Sequence, residues 1–132
     1  MVRRYGRRRG DVEERTVERR RREDAAPRLL SRVPNLETLR LELKERRAGI
    51  VLPESAHVRP IPVAHAPALF ELPCLDETCK DGGHDLTETF IRALLSGAPS
   101  LAGEHACRGQ TGSAECQRVL DYVITATYKT PK

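Results

Sequence analysis

The sequence predicts a small α+β domain in which an antiparallel sheet is covered by one main helix. Three observations lead to this fold class. Residues 39–43 alternate apolar and polar side chains with the period of a strand and residues 119–128 are rich in β-branched and aromatic side chains, residues 86–95 repeat apolar side chains with the period of a helix, and residues 3–24 carry few apolar side chains. A chain of 132 residues is the size of one domain. We therefore expect a basic arm over residues 1–24 and a single domain over residues 25–132.

The predicted arm is rich in arginine and lacks a face that could be buried. We expect it to be disordered or partly helical. Such a segment can lie along a phosphate backbone, with Tyr5 stacking on a base, or it can serve as a solubilising tail, since residues 11–24 also hold six acidic side chains. The arginines that we expect to contact nucleic acid or another acidic partner are Arg3, Arg4, Arg7, Arg8 and Arg9.

The chain from residue 25 onward contains five predicted strands, three before the main helix and two after it. A short helical turn over residues 25–33 should end at Pro34, which disfavours helix in the residue before it. Strands are then predicted at residues 39–43, 57–63 and 68–72, and prolines 60, 62 and 67 should confine the second of these to a sheet edge. A short strand is expected at residues 103–107 and the strongest one at residues 119–128.

The main helix is predicted to begin with a capping box. Asp85 would accept a hydrogen bond from the backbone of Glu88, and the Glu88 side chain would reach back. The apolar stripe that follows should pack on the sheet, and the helix should stop at residues 96–99. The members of this stripe are Leu86, Phe90, Ile91, Leu94 and Leu95.

Four cysteines, arranged as two pairs on either side of the helix, indicate a metal site. Cys74 and Cys79 enclose four residues, and Cys107 and Cys116 enclose eight. Thiolates contributed in pairs by two loops are typical of structural zinc sites. The sequence therefore predicts Zn²⁺ held by the four cysteines.

This arrangement of two ligand pairs resembles a zinc ribbon or zinc knuckle. The resemblance covers residues 74–116 and implies a structural metal, without implying an activity. Other ligand sets stay open at this point. His84 could replace one thiolate, or the cysteines could be redox thiols, disulfides or buried thiols without a ligand.

These features favour a noncatalytic binding protein that contacts RNA, DNA or an acidic protein through its arm. One alternative is a small enzyme, either a zinc hydrolase with His84 or Glu77 as proton carrier or a redox protein using Cys74 and Cys79. Another is a structural adaptor, and the oligomeric state is not predicted. Because no run approaches the roughly 18 apolar residues of a membrane span, we expect a cytoplasmic protein with no membrane partner.

Overall fold

The structure is a computed structural model that describes residues 14, 16–75, 79–80 and 82–130. Three helical segments, α1 to α3, and nine strands, β1 to β9, are found in these residues. The helices are α1 (16–25), α2 (Leu29–Arg32) and α3 (Thr87–Leu95). The strands are β1 (Leu36–Arg47), β2 (Ser55–Ile61), β3 (Glu71–Leu72), β4 (Cys79–Lys80), β5 (His84–Asp85), β6 (Ser100–Ala106), β7 (Gln110–Thr111), β8 (Ala114–Glu115) and β9 (Arg118–Tyr128).

The main sheet has four antiparallel strands in the order β2-β1-β9-β6. This confirms the predicted α+β class with a mostly antiparallel sheet. β2 lies at one edge, as its prolines predict, because proline cannot donate a ladder hydrogen bond. Two small sheets, β3-β5 and β4-β7-β8, lie outside the main sheet.

One face of the main sheet forms the core with α3. Leu41 of β1 is aligned with Ile124 of β9, and Leu43 with Tyr122, so that alternate residues of both strands point to the same side. Phe90 of α3 is fully buried, and its ring centroid lies 5.2 Å from that of Phe70 and 5.3 Å from that of Tyr122. The predicted packing of the helix stripe on the sheet is therefore confirmed for Leu86, Phe90, Ile91 and Leu94.

The predicted capping box is wrong. The helix begins at Thr87, one residue later than expected, because Asp85 pairs with Glu71 in the small β3-β5 sheet. The Asp85 carboxylate accepts from the backbone N–H of Thr87 at 3.1 Å, and Glu88 instead forms an ion pair with Arg32 at 3.1 Å. Leu95, the last residue of the helix, is also misassigned, since it is 60% exposed.

The described part of the predicted arm is helical. Residues 16–25 form α1, and the Arg22 guanidinium binds the Glu71 carboxylate of β3 at 2.7 Å. The division of the chain after residue 24 stays a prediction, and Arg3, Arg4, Arg7, Arg8 and Arg9 lie outside the described residues. None of the helices in the described residues is both long enough and apolar enough to cross a membrane.

The burial of α3 predicts a sharp contrast between two substitutions in the same helix. Phe90→Ala should lower the free energy of unfolding by about 3 to 5 kcal/mol, because it leaves a cavity between Phe70 and Tyr122. The matched control Leu95→Ala should cost under about 1 kcal/mol, because that side chain is 60% exposed. Urea unfolding measures both values, and equal losses would contradict the assigned packing.

Candidate metal centre

The four cysteines come together because two loops leave the fold at the same end of the main sheet. Cys107 follows β6 and Cys116 precedes β9, and these neighbouring strands are still aligned at Ala106 and Val119. The ladder continues one step further, since the N–H of Cys107 donates to the carbonyl of Arg118 at 2.9 Å. The main sheet thus fixes the positions of both cysteines of the second pair.

The first pair lies in the loop between β3 and β5. Leu72 of β3 pairs with His84 of β5, so the two ends of this loop lie side by side. Cys74 lies two residues after Leu72, at the start of the loop. Cys79 is a member of β4, and its backbone is aligned with Thr111 of the β7-β8 hairpin that connects the second pair. This strand pairing carries Cys79 to Cys107 and Cys116.

The four sulfur atoms have the spacing of metal ligands. All lie within 4.8 Å of one another, with 3.7 Å between Sγ of Cys74 and Cys116 and 3.6 Å between Sγ of Cys79 and Cys107. A disulfide bond is about 2.05 Å long, so none of the four cysteines is joined to another by a disulfide. Four sulfurs arranged tetrahedrally around Zn²⁺, at about 2.3 Å each, would be about 3.8 Å apart. The cluster can therefore hold a metal ion.

The sulfurs also form an apolar cluster of their own. Cys79, Cys107 and Cys116 are buried at 2%, 4% and 6% exposure and pack with the partly buried Cys74. The main core, formed by α2, α3 and the sheet, includes none of them. The small β4-β7-β8 sheet thus lies on a core made of cysteine side chains.

The backbone around Cys107 favours its thiolate. Burial by itself raises the pKa of the Cys107 thiol, but N–H donors from Gly109 and Gly83 act in the opposite direction and the pKa is lowered overall. These donors lie 3.5 Å and 3.2 Å from Sγ. For Cys79, burial and the neighbouring thiols raise the pKa to about 12. A cation among the sulfurs would be needed to hold Cys79 as a thiolate, since a metal displaces the thiol proton.

Gly82 is required by the close approach of its backbone to two of the sulfurs. A Cβ atom at this position would lie 2.4 Å from Sγ of Cys79 and 2.5 Å from Sγ of Cys107. Both distances are far below a carbon–sulfur contact. The glycine thus allows the chain to close over the sulfurs.

His84, considered from the sequence as an alternative ligand, has other neighbours. Its Nδ1 lies 2.8 Å from Nδ1 of His105, and its Nε2 lies 4.0 Å from a carboxylate oxygen of Glu45. The metal-capable group found in the described residues consists of the four cysteines without His84. Burial, and then the proximity of His105, lower the pKa of His84 to about 4, so the ring is neutral at pH 7.

Glu45 is a buried charged residue that the sequence analysis missed. It is 2% exposed and lies on the inner face of β1, the same face as Leu41 and Leu43. The alternation that identified the strand already contained this signal, since extending it by two residues points Glu45 inward. Glu77, considered as a proton carrier, lies outside the described residues.

Comparison of the chain with protein-family models, curated proteins and solved structures finds no match. The interpretation of the site thus depends on its own geometry and chemistry.

The contact at Gly82 predicts that Gly82→Ala weakens metal binding. The added methyl group must displace one or both sulfurs, and we expect the affinity for Zn²⁺, used as the probe metal, to fall about 10- to 100-fold. Competition with a chromophoric chelator measures this affinity. Gly112→Ala is the control: nothing lies within 4 Å of its added carbon, so its positive φ of 67° strains the hairpin without moving the sulfurs. Wild-type affinity in Gly82→Ala would refute the assigned contact.

Proposed function

We propose that this protein is a noncatalytic binding protein, stabilised by one Zn²⁺ bound to Cys74, Cys79, Cys107 and Cys116, that contacts nucleic acid through its arginine-rich arm. The observation that carries the metal part of this proposal is the approach of four sulfurs, from two separate loops, to within 4.8 Å of one another. A tetrahedral set of four thiolates suits zinc, which has no redox chemistry of its own in such a site.

The ligand set supports a structural role for the metal. Catalytic zinc sites keep three protein ligands and one open position, whereas four thiolates complete the coordination shell. The second support is the composition of the cluster. The loops around it bury only cysteine side chains there, and no other apolar side chains pack with them in the described residues. A metal that joins these loops replaces the hydrophobic contacts that they lack. Thiolate ligands of this kind suit a reducing compartment, and we place the protein in the cytoplasm.

The binding part of the proposal depends on charge. Of the 23 Lys and Arg residues in the chain, five are the arginines between positions 3 and 9. Arg20 and Arg21 of α1 are exposed and extend the basic sequence toward the domain. The ion pair between Arg22 and Glu71 holds α1 against β3, so a ligand bound along the arm would be held near the domain. Regularly spaced phosphates are the partner that such a series of guanidinium groups fits best.

The proposed function predicts a loss of salt-dependent binding when the arm is neutralised. Arg3, Arg4, Arg7, Arg8 and Arg9 would be replaced together by glutamine in the zinc-loaded protein. Fluorescence anisotropy with a labelled 20-nucleotide uridine RNA should show weaker binding. The magnitude of the slope of log affinity against log salt should fall by about 3.5, since each of the five neutralised phosphates contributes about 0.7 for a single strand.

The control replaces three exposed arginines of the domain by glutamine, namely Arg40, Arg92 and Arg108. This variant should keep most of the affinity and of the salt dependence. Unchanged RNA binding after neutralisation of the arm would contradict the proposal. Binding to polyglutamate in place of RNA would assign the arm to an acidic protein and would also overturn it.

A further inference from the structure

A groove of about 110 Å³ lies along the inner side of the edge strand β2. Leu43 of β1 forms its floor, and one wall is the segment that leads from β3 into the metal centre, with Leu72 and Pro73. The opposite wall is β2 itself, through His57 and Arg59. The groove therefore has apolar side chains on its floor and on one wall, and basic side chains on the other wall.

The strand register explains why two basic side chains line this apolar groove. Leu43 of β1 is aligned with His57, and Leu41 with Arg59. Aligned residues of neighbouring strands point to the same side of a sheet, so His57 and Arg59 belong to the face that carries the core. Both are exposed, whereas Leu41 and Leu43 are buried. The covered part of this face thus ends at β1, and β2 is open to solvent at these two positions.

The charge of Arg59 is not neutralised within the part of the chain that the structure describes. Among these residues, neither an ion pair nor a side-chain hydrogen bond involves Arg59 or His57. The exposed guanidinium of Arg59 is therefore accessible to a ligand that enters the groove. A planar guanidinium binds a carboxylate through two parallel hydrogen bonds, which makes a carboxylate the anion that Arg59 suits best.

The buried carboxylate of Glu45 does not exclude an anion from this groove. Glu45 is among the lining residues, but it is aligned with Ser55, four residues from Arg59 in the same strand. At about 3.3 Å per residue, this separation is about 13 Å along the strand. Arg118 also approaches Glu45, with Nε 3.8 Å from a carboxylate oxygen. A negative group bound at Arg59 therefore lies beside a cation and far from Glu45.

We propose that this groove binds a small carboxylate with a short alkyl chain, such as a fatty acid of about six carbons. The carboxylate pairs with Arg59, and the chain lies over Leu43 against Leu72 and Pro73. The groove volume of about 110 Å³ is smaller than the roughly 150 Å³ that encloses benzene, so it suits a short chain better than a ring system. This goes beyond the proposed function, because it requires neither the arm nor nucleic acid.

The test uses hexanoate as the probe, with the zinc-loaded full-length protein labelled with ¹³C at histidine. Hexanoate should shift the Cε1–H signal of His57 in a saturable titration, because His57 lies two residues from Arg59 on the same wall. A His57→Gln spectrum assigns this signal. The signal of His65 is the internal control and should stay in place, since this exposed histidine does not line the groove.

Three further probes separate the two parts of the ligand. Acetate carries the charge without the chain, hexanol carries the chain without the charge, and hexylammonium reverses the charge. We expect each of these three to bind at least tenfold more weakly than hexanoate. From acetate through butanoate to hexanoate, each added methylene should raise the affinity by up to about fourfold, because it removes more apolar surface from water.

Two variants locate the site. Arg59→Gln removes the charge from an exposed side chain and should weaken hexanoate binding at least tenfold. Arg40→Gln is the matched control, since Arg40 is an exposed arginine of β1 on the opposite face of the sheet from Leu41, and it should keep the wild-type affinity. Both variants retain the arm, so binding of hexanoate to the arm affects them equally. Native mass spectra of each variant report its zinc content, so failure of the metal centre is seen separately.

The proposal is overturned if hexanoate leaves the His57 signal unchanged, or if hexanol or hexylammonium binds as tightly as hexanoate. It is also overturned if zinc-loaded Arg59→Gln binds hexanoate like the wild type, since the carboxylate then has another partner.

Discussion

The convergence of four cysteine sulfurs is the constraint on which the second half of the fold depends. The loop between β3 and β5 and the loop between β6 and β9 form two-residue strands, too short to be stable by themselves. These strands pair with one another, but the apolar side chains that would normally support such a small sheet are replaced by Cys79, Cys107 and Cys116. A metal crosslink would convert four weakly packed thiols into a rigid tie between the loops.

The main sheet and the metal centre share a boundary at which polar groups are buried. His84 is adjacent to Gly83, whose N–H donates to Cys107, while its own ring faces Glu45 on the inner face of β1. Leu75, one residue beyond Cys74, donates its N–H to Glu45. Any movement of the cysteine loops would therefore move the groups that surround Glu45. The same contacts explain how a glutamate is tolerated inside the sheet, because Leu75 and Arg118 both approach its carboxylate.

The elements that could be predicted from the sequence are those with a strong period. Leu39, Leu41 and Leu43 alternate with polar residues, and the face of β1 that carries these leucines is buried, as expected. The α3 stripe was identified from its four-residue repeat, although not its first residue, because Asp85 pairs in a strand where a cap was expected. The cysteine pairs were identified as one cluster by ligand spacing, and their sulfurs do lie together.

What could not be predicted depends on contacts between residues that are distant in the chain. The strands β4, β7 and β8 are two residues each and have no period that could reveal them. The meeting of His84 with His105 and Glu45 requires knowledge of which strands are neighbours. The need for glycine at position 82 could not be predicted either, since it follows from two sulfurs that approach its backbone from different loops.

The central claim is that the four cysteines hold a structural zinc ion. It is tested most directly by X-ray absorption at the zinc edge, combined with native mass spectrometry, on protein purified without chelator. The account predicts one zinc per chain, coordinated by four sulfurs at about 2.3 Å and by no nitrogen or oxygen. A nitrogen or oxygen ligand in place of one sulfur would indicate an open or mixed site and contradict a closed structural centre. Absence of metal, together with a mass reduced by the hydrogens lost in disulfide formation, would contradict the metal site itself.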